Sequence, residues 1–172
     1  MEMRQSLISP NLVAYNALIG ACHQGRRWDA ALDLLAEMRQ RCLRPGIVAW
    51  NASMSACEKG RQPARALELL AQMRHHGGVQ PSTVTYNASI SACAAGGRWS
   101  QALQFLAELL QGGLTPSVVT FNALINACEK GRQWEPALAL LAEAKRRSGH
   151  GPNLVTYNAS MSACEKGQQW TR

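Results

Sequence analysis

The sequence predicts an all-α fold, a right-handed α-solenoid of helix-turn-helix (α-hairpin) repeats. Three observations carry this. The stretch Val155-Thr-Tyr-Asn-Ala-Ser-Met-Ser-Ala-Cys-Glu-Lys-Gly167 has close copies beginning at Val13, Val48, Val84 and Val119. Its asparagine recurs as Asn16, Asn51, Asn87, Asn122 and Asn158, at intervals of 35, 36, 35 and 36 residues. Between the copies lies a second apolar pattern with helical spacing. A period in this range marks stacked units, each burying its apolar face against its neighbours.

Each unit is punctuated first by proline, at Pro10, Pro45, Pro81, Pro116 and Pro152. Proline fixes its own φ and disfavours helix in the residue before it, so one helix ends there and the next begins just after. The first helix of each unit is expected roughly over 13–24 in the first copy. Tyr15, Leu18, Ile19 and Cys22 fall at i, i+3, i+4 and i+7 there, one buried stripe. Gly25, Gly60, Gly96, Gly131 and Gly167 are expected to close these helices through a left-handed conformation.

The second helix follows a short turn. Trp28, Ala31, Leu32, Leu35 and Met38 make one apolar face, and Trp99, Trp134 and Trp170 head the equivalents. Pro63 stands in for tryptophan in the second unit, as a first-turn residue whose missing N–H has no intrahelical partner to lose. The extra residue of the two longer units is assigned to the loops around 75–78 and 147–151, where insertions cost little. The organisation is therefore a lead-in at 1–9, repeats at 10–44, 45–80, 81–115 and 116–151, and a truncated fifth repeat at 152–172. The chain is expected to be a fragment of a longer array, or an array with a frayed terminus.

Composition narrows the function classes. The 172 residues carry 18 Lys and Arg against 11 Asp and Glu, a formal charge of +7, which favours a polyanionic partner. No apolar stretch reaches the roughly 18–20 residues of a membrane span, so no membrane partner is expected. Residues 1–9 carry neither an apolar signal core nor an Arg- and Ser-rich targeting run. Cys22, Cys57, Cys93, Cys128 and Cys164 occupy equivalent places, where helix packing sets spacings of about 9–10 Å, beyond the reach of a disulfide. They read as small buried apolar residues. His23, His75, His76 and His150 have no partner at metal-ligand spacing, and no nucleophile, base or phosphate loop is recognisable. No catalytic residue, metal, cofactor or small-molecule substrate is expected.

The first helix carries a second stripe. Val48, Asn51 and Ser55 share a face turned away from Trp50, Ser53, Met54 and Cys57, and the other copies repeat Val13–Asn16, Val84–Asn87, Val119–Asn122 and Val155–Asn158. Asparagine costs roughly 0.6–0.7 kcal/mol against alanine in a helix interior, so five out of five needs a reason. One is structural, a hydrogen bond to backbone or to the adjacent repeat. The other is functional: an amide offers a donor and an acceptor in one plane, suited to the edge of an unpaired base, with valines either side to sandwich the base faces.

Val-Thr-Tyr-Asn-Ala at the head of the first helix, the 35-residue period, Ala-Leu-x-Leu-Leu-Ala-x-Met in the second helix and the closing proline resemble the pentatricopeptide repeat family over residues 10–172. The resemblance implies modular binding of single-stranded RNA, one base per repeat, the helix asparagine acting with the last residue of its repeat. Carried over, the pairs are Asn16 with Gly46, Asn51 with Ser82, Asn87 with Ser117, and Asn122 with Asn153, while Asn158 opens the fifth. Asn/Ser pairs imply a lean to cytosine and Asn/Asn either pyrimidine. Val13, Val48, Val84, Val119 and Val155 are the expected base-sandwiching residues. Lys59, Lys130 and Lys166, which end the first helix, are candidate phosphate contacts, with complementation of the helix dipole as the equal alternative. The family also implies other proteins of an RNA-processing complex as partners and a chloroplast or mitochondrial address. The turn glycine departs from the family pattern by lying one residue early. A protein- or peptide-binding scaffold is the competing expectation, although a uniform Val/Asn stripe suits a repeating polymer better than varied peptide anchors.

Overall fold

The computed structural model describes residues 11–75, 78–147 and 152–167. Nine α-helices make up the described residues: α1 (Leu12–Gln24), α2 (Trp28–Gln40), α3 (Ile47–Lys59), α4 (Pro63–His75), α5 (Thr83–Ala95), α6 (Trp99–Gln111), α7 (Val118–Lys130), α8 (Trp134–Arg147) and α9 (Leu154–Lys166). Each odd-numbered helix packs on the odd-numbered helices before and after it, so α1, α3, α5, α7 and α9 form a continuous layer. The even-numbered helices lie on one side of that layer, each wedged against the odd helix before it and the one after it. They meet one another through long side chains, Arg39 with Gln72 and Arg74 with Glu108. This is an all-α helical solenoid.

Local sequence explains where each helix begins. Pro45, Pro81, Pro116 and Pro152 each stand one residue before the N-cap, at Gly46, Ser82, Ser117 and Asn153. Ser82, Ser117 and Asn153 accept from the backbone N–H three residues on, and Thr85, Thr120 and Thr156 accept in return from the cap N–H: three capping boxes. Asn11 caps α1 with its side chain alone. Pro63 opens α4 as its first residue, as expected. Helix α8 is one residue longer than the other eight and extends through Arg147, a position that the sequence assigns to the loop. Likewise His75, read as a turn residue, ends α4 and is exposed. Pro10, Trp170, His76, His150 and the lead-in lie outside the described residues.

The core is the seam between layers. Trp50, Met54 and Cys57 of α3, with Leu70 and Met73 of α4, are almost fully buried, each large side chain stabilising by about 1.5–3 kcal/mol relative to exposure. Burial pushes the thiols of Cys57, Cys93 and Cys128 up to about 11, and all six cysteines are free. One expected core residue is not in it. Leu18 is 47% exposed, whereas its counterparts Ser53, Ser89, Leu124 and Ser160 are buried. Those four lie on helices that pack against a preceding odd helix, and among the described residues none precedes α1.

The glycines that end the odd helices do so for a different reason from the one the sequence suggests. Gly25, Gly60, Gly96, Gly131 and Gly167 all have negative φ, between −78° and −95°. The left-handed residue is the next one: Arg26, Arg61 and Arg132 at φ 56°, Gly97 at 65°. There the chain reverses so that the following N–H returns to the cysteine carbonyl, Gln62 to Cys57 at 2.8 Å and Gln133 to Cys128 at 2.9 Å, the closure of a Schellman motif. At Gly60, Gly131 and Gly167 glycine is required one position earlier by close approach. A Cβ on Gly60 or Gly131 would lie under 3.0 Å from the indole Cδ1 of Trp28 or Trp99, and one on Gly167 would lie 2.7 Å from that of Trp134. The tryptophan heading one unit's second helix thus stacks on the turn of the next unit. Where Pro63 replaces tryptophan, Gly96 has no such ring over it.

Candidate nucleic-acid interface

The odd-helix layer presents one face away from the even helices, and the second stripe lies on it. Val13, Val48, Val84, Val119 and Val155 are 73%, 59%, 53%, 62% and 61% exposed. Single exposed valines are ordinary, but five at one register on successive parallel helices form an uncovered apolar ladder. Between α7 and α9 the face sinks into an open groove lined by Val119, Asn122, Asn126, Val155, Asn158 and Ser162. Asn16, Asn51, Asn87 and Asn122 are half-buried along this face and Asn158 is exposed.

The amides are tied to the next unit. Asn51 Nδ2 donates to Ser82 Oγ at 3.1 Å, and Thr85 Oγ1 donates to Asn51 Oδ1 at 2.6 Å. The same arrangement joins Asn122 to Asn153 (3.4 Å) and to Thr156 (2.5 Å), and Thr120 donates to Asn87 Oδ1 at 2.7 Å. Two of the expected residue pairs, Asn51 with Ser82 and Asn122 with Asn153, are therefore in direct contact. Asn87 and Ser117 meet through Thr120, which lies 3.2 Å from Ser117 Oγ. The pair Asn16 and Gly46 has no side-chain contact, since glycine offers none. The structural reason for asparagine is therefore met in three units, where Oδ1 of Asn51, Asn87 and Asn122 is held by the threonine of the next.

Thr85, Thr120 and Thr156 are fully buried and were missed as site residues by sequence reasoning. The signal was present, since threonine follows the stripe valine in the third, fourth and fifth copies, but alanine follows it in the first two, as Ala14 and Ala49. The consequence falls on Asn16. The next unit has Ala49 and Gly46 at the positions of Thr85 and Ser82, and Asn16 Oδ1 is buried with no hydrogen-bond partner.

The lysines differ more than their repetition suggests. Lys166 Nζ donates to Glu129 Oε1 at 2.6 Å, and Ser162 donates to the same oxygen at 2.8 Å. Burial pushes the Glu129 carboxyl up, but these hydrogen bonds and the charges of Lys166 and Lys130 outweigh it, leaving the group below its ordinary value. Lys59 Nζ lies 3.2 Å from His23 Nε2. Lys130 has Ala94 where Lys166 has Glu129, and makes no ion pair among the described residues. Among those residues no group of His, Cys, Asp and Glu could hold a metal ion, and no helix is long and apolar enough to cross a membrane.

Comparison with known proteins agrees with this architecture. The chain aligns over 98% of its length with the pentatricopeptide repeat protein PPR10 in complex with an 18-nt psaJ RNA element, at 27% identity and a TM-score of 0.76, covering 24% of that chain. PPR10 from maize matches at 20% identity and a TM-score of 0.74, over 93% of this chain and 23% of that one. The PPR domain of Arabidopsis thaliana protein-only RNase P 1, in complex with tRNA, matches at 15% identity and 0.76, over 94% of this chain and 84% of the other; these last two likenesses concern the fold alone. The present chain thus spans about a quarter of the length of PPR10. No curated protein matches. A model of the PPR repeat family matches residues 45–95, 81–130 and 116–166, and one of the pentatricopeptide repeat domain matches 1–60. With most of its length matched by these models and its helices stacked as described, the chain belongs to the pentatricopeptide repeat family.

Proposed function

We propose that the chain binds single-stranded RNA along the odd-helix face, one base per α-hairpin, with a preference for pyrimidines. The observation that carries the reading is the ladder of five exposed valines, each beside an amide at the groove edge. Adjacent valines flank a slot whose floor is polar, which suits a flat apolar base with a hydrogen-bonding edge. Asn51 with Ser82, Asn87 with Ser117 and Asn122 with Asn153 are the base-reading pairs, Asn158 opens a further one, and Asn16 with Gly46 is the weakest. The net charge of +7 favours a polyanion, and Lys130 is the best-placed phosphate contact. Support from relatives comes from PPR10, whose structure holds an 18-nt RNA element. A role in organellar RNA processing, stability or expression follows from the family, and the array acts in it as a binding scaffold.

Few units bind weakly by themselves: stacked bases contribute about 1–3 kcal/mol each before the cost of ordering the strand. Filter binding of poly-C, poly-U and poly-A to the whole chain at one fixed salt concentration tests the reading. Poly-C and poly-U retained above poly-A is the expected result. Equal retention of all three, or none, removes the base-reading proposal, and a peptide-binding scaffold then becomes the better account of the face.

A further inference from the structure

We infer that Thr85, Thr120 and Thr156 are positioning residues for base selection, each fixing the amide of the preceding unit, and that the first unit, which lacks the threonine, selects poorly. This rests on the RNA reading above and concerns how the amide acquires one orientation.

The hydrogen bonds set a direction. A threonine hydroxyl has one proton to give. Thr85 Oγ1 accepts from the Ser82 backbone N–H at 3.0 Å, and of the oxygens within its reach Asn51 Oδ1, at 2.6 Å, is nearer than Ser82 Oγ, at 3.1 Å, so its proton is directed to the amide. Thr120 and Thr156 repeat the relay, accepting from the Ser117 and Asn153 N–H groups at 3.0 and 3.1 Å and donating to Asn87 and Asn122. A half-turn of the amide would send the threonine proton to the cap oxygen instead, 3.1 Å away at Ser82 and 2.9 Å at Asn153, in exchange for the shorter bonds of 2.6 and 2.5 Å to the amide oxygen. Its NH2 is left to the cap and the groove, one proton for Ser82 Oγ or Asn153 Oδ1 and one for a ligand. A fixed donor selects for the edge position at which both pyrimidines carry the acceptor O2 and adenine carries only C2–H. An amide free to turn offers donor or acceptor to any base.

Asn16 is such an amide. Ala49 stands at the threonine position and Gly46 at the cap, and Asn16 Oδ1 is buried without a partner. There is room for the repair: a Cβ on Gly46 would meet nothing within 4 Å, and the threonines equivalent to Ala49 are accommodated fully buried in three other units.

The test compares poly-C with poly-A binding of the full chain, its Thr120→Val and Thr120→Ser variants, and the repaired Gly46→Ser/Ala49→Thr double variant. Thr120→Val keeps the shape and loses the relay, so the poly-C to poly-A ratio falls by about five- to ten-fold, the worth of one hydrogen bond, and Thr120→Ser restores it. The repaired variant raises the ratio by a similar factor and raises the melting temperature by about 2–4 °C, the latter with no RNA present. A ratio unmoved by Thr120→Val in a protein that still discriminates poly-C from poly-A overturns the positioning role and leaves the RNA reading standing. Absence of RNA binding by the unaltered chain removes the RNA reading and this inference with it. A repaired variant that melts no higher shows that no bond forms at Asn16, and overturns the orientation argument by itself.

Discussion

Replacing Gly131 by alanine should destabilise the stack, while the same replacement at Gly96 should stabilise it. A Cβ at Gly131 would fall under 3.0 Å from Trp99 Cδ1, with Cγ at 3.0 Å; at Gly96 the nearest atom is the flexible Arg98 side chain at 3.6 Å. Both glycines have negative φ, so neither needs glycine for its backbone conformation. Forcing a methyl into a packed contact costs about 1–3 kcal/mol, against which alanine recovers about 0.4–1 kcal/mol by restricting the unfolded chain. The net expectation is a loss of about 1–2 kcal/mol at Gly131 and a gain of under about 1 kcal/mol at Gly96. For a chain of this size each kcal/mol moves the melting temperature by about 2–4 °C, so circular dichroism melts separate the two signs. The Ala127 carbonyl, 3.3 Å from the added methyl, strains Gly131→Ala independently of the ring. Repeating the pair in a Trp99→Leu background retains that strain and isolates the indole. Equal effects at Gly96 and Gly131, or no relief from Trp99→Leu, would refute the interlocking of ring and turn.

Arg61→Gly should stabilise by about 0.5–1 kcal/mol, because Arg61 holds a left-handed φ of 56° that Gly97 occupies in the neighbouring unit; a melt at neutral pH measures it. The Lys166–Glu129 link should be worth under about 1 kcal/mol and depend on pH with a definite sign. Glu129 is depressed in the folded chain, so near its ordinary value of 4.5 the unfolded chain binds more protons. The contribution is present above that value and disappears as pH falls through the folded one. The melting difference between the unaltered chain and Glu129→Gln should therefore be larger at pH 7 than at pH 3. Lys130→Ala should flatten the slope of log affinity for poly-C against log salt by about 0.7, and Lys166→Ala should flatten it less, since its ammonium is already bonded to Glu129.

The helices were legible because their signals are local and repeated. Proline one residue before a cap, an aromatic five residues after that proline and a tryptophan, or Pro63, after the turn mark where the helices start. Leu18 misled because periodicity reports which face is apolar, and burial depends on whether a neighbouring helix exists to cover it. The reason for the turn glycines was hidden because Trp99 and Gly131 touch across units. A glycine needed for space and one needed for left-handed φ look alike in sequence. At the candidate site the valine and asparagine stripe was readable from spacing. The threonine relay was not, because it depends on which lone pair each hydroxyl has free, and that becomes visible only once the Ser82 N–H and the Asn51 amide converge on Thr85. The unequal lysines follow from the residue opposite: Glu129 before Lys166, Ala94 before Lys130.

The base preference of an Asn51→Thr/Asn87→Thr double variant, set beside that of the unaltered chain on poly-C, poly-U and poly-A at one salt concentration, probes the amide ladder most directly. If those amides meet successive bases, the order of preference among the three polymers changes while the helical circular dichroism does not. An unchanged order, in a variant that still binds, would contradict the account.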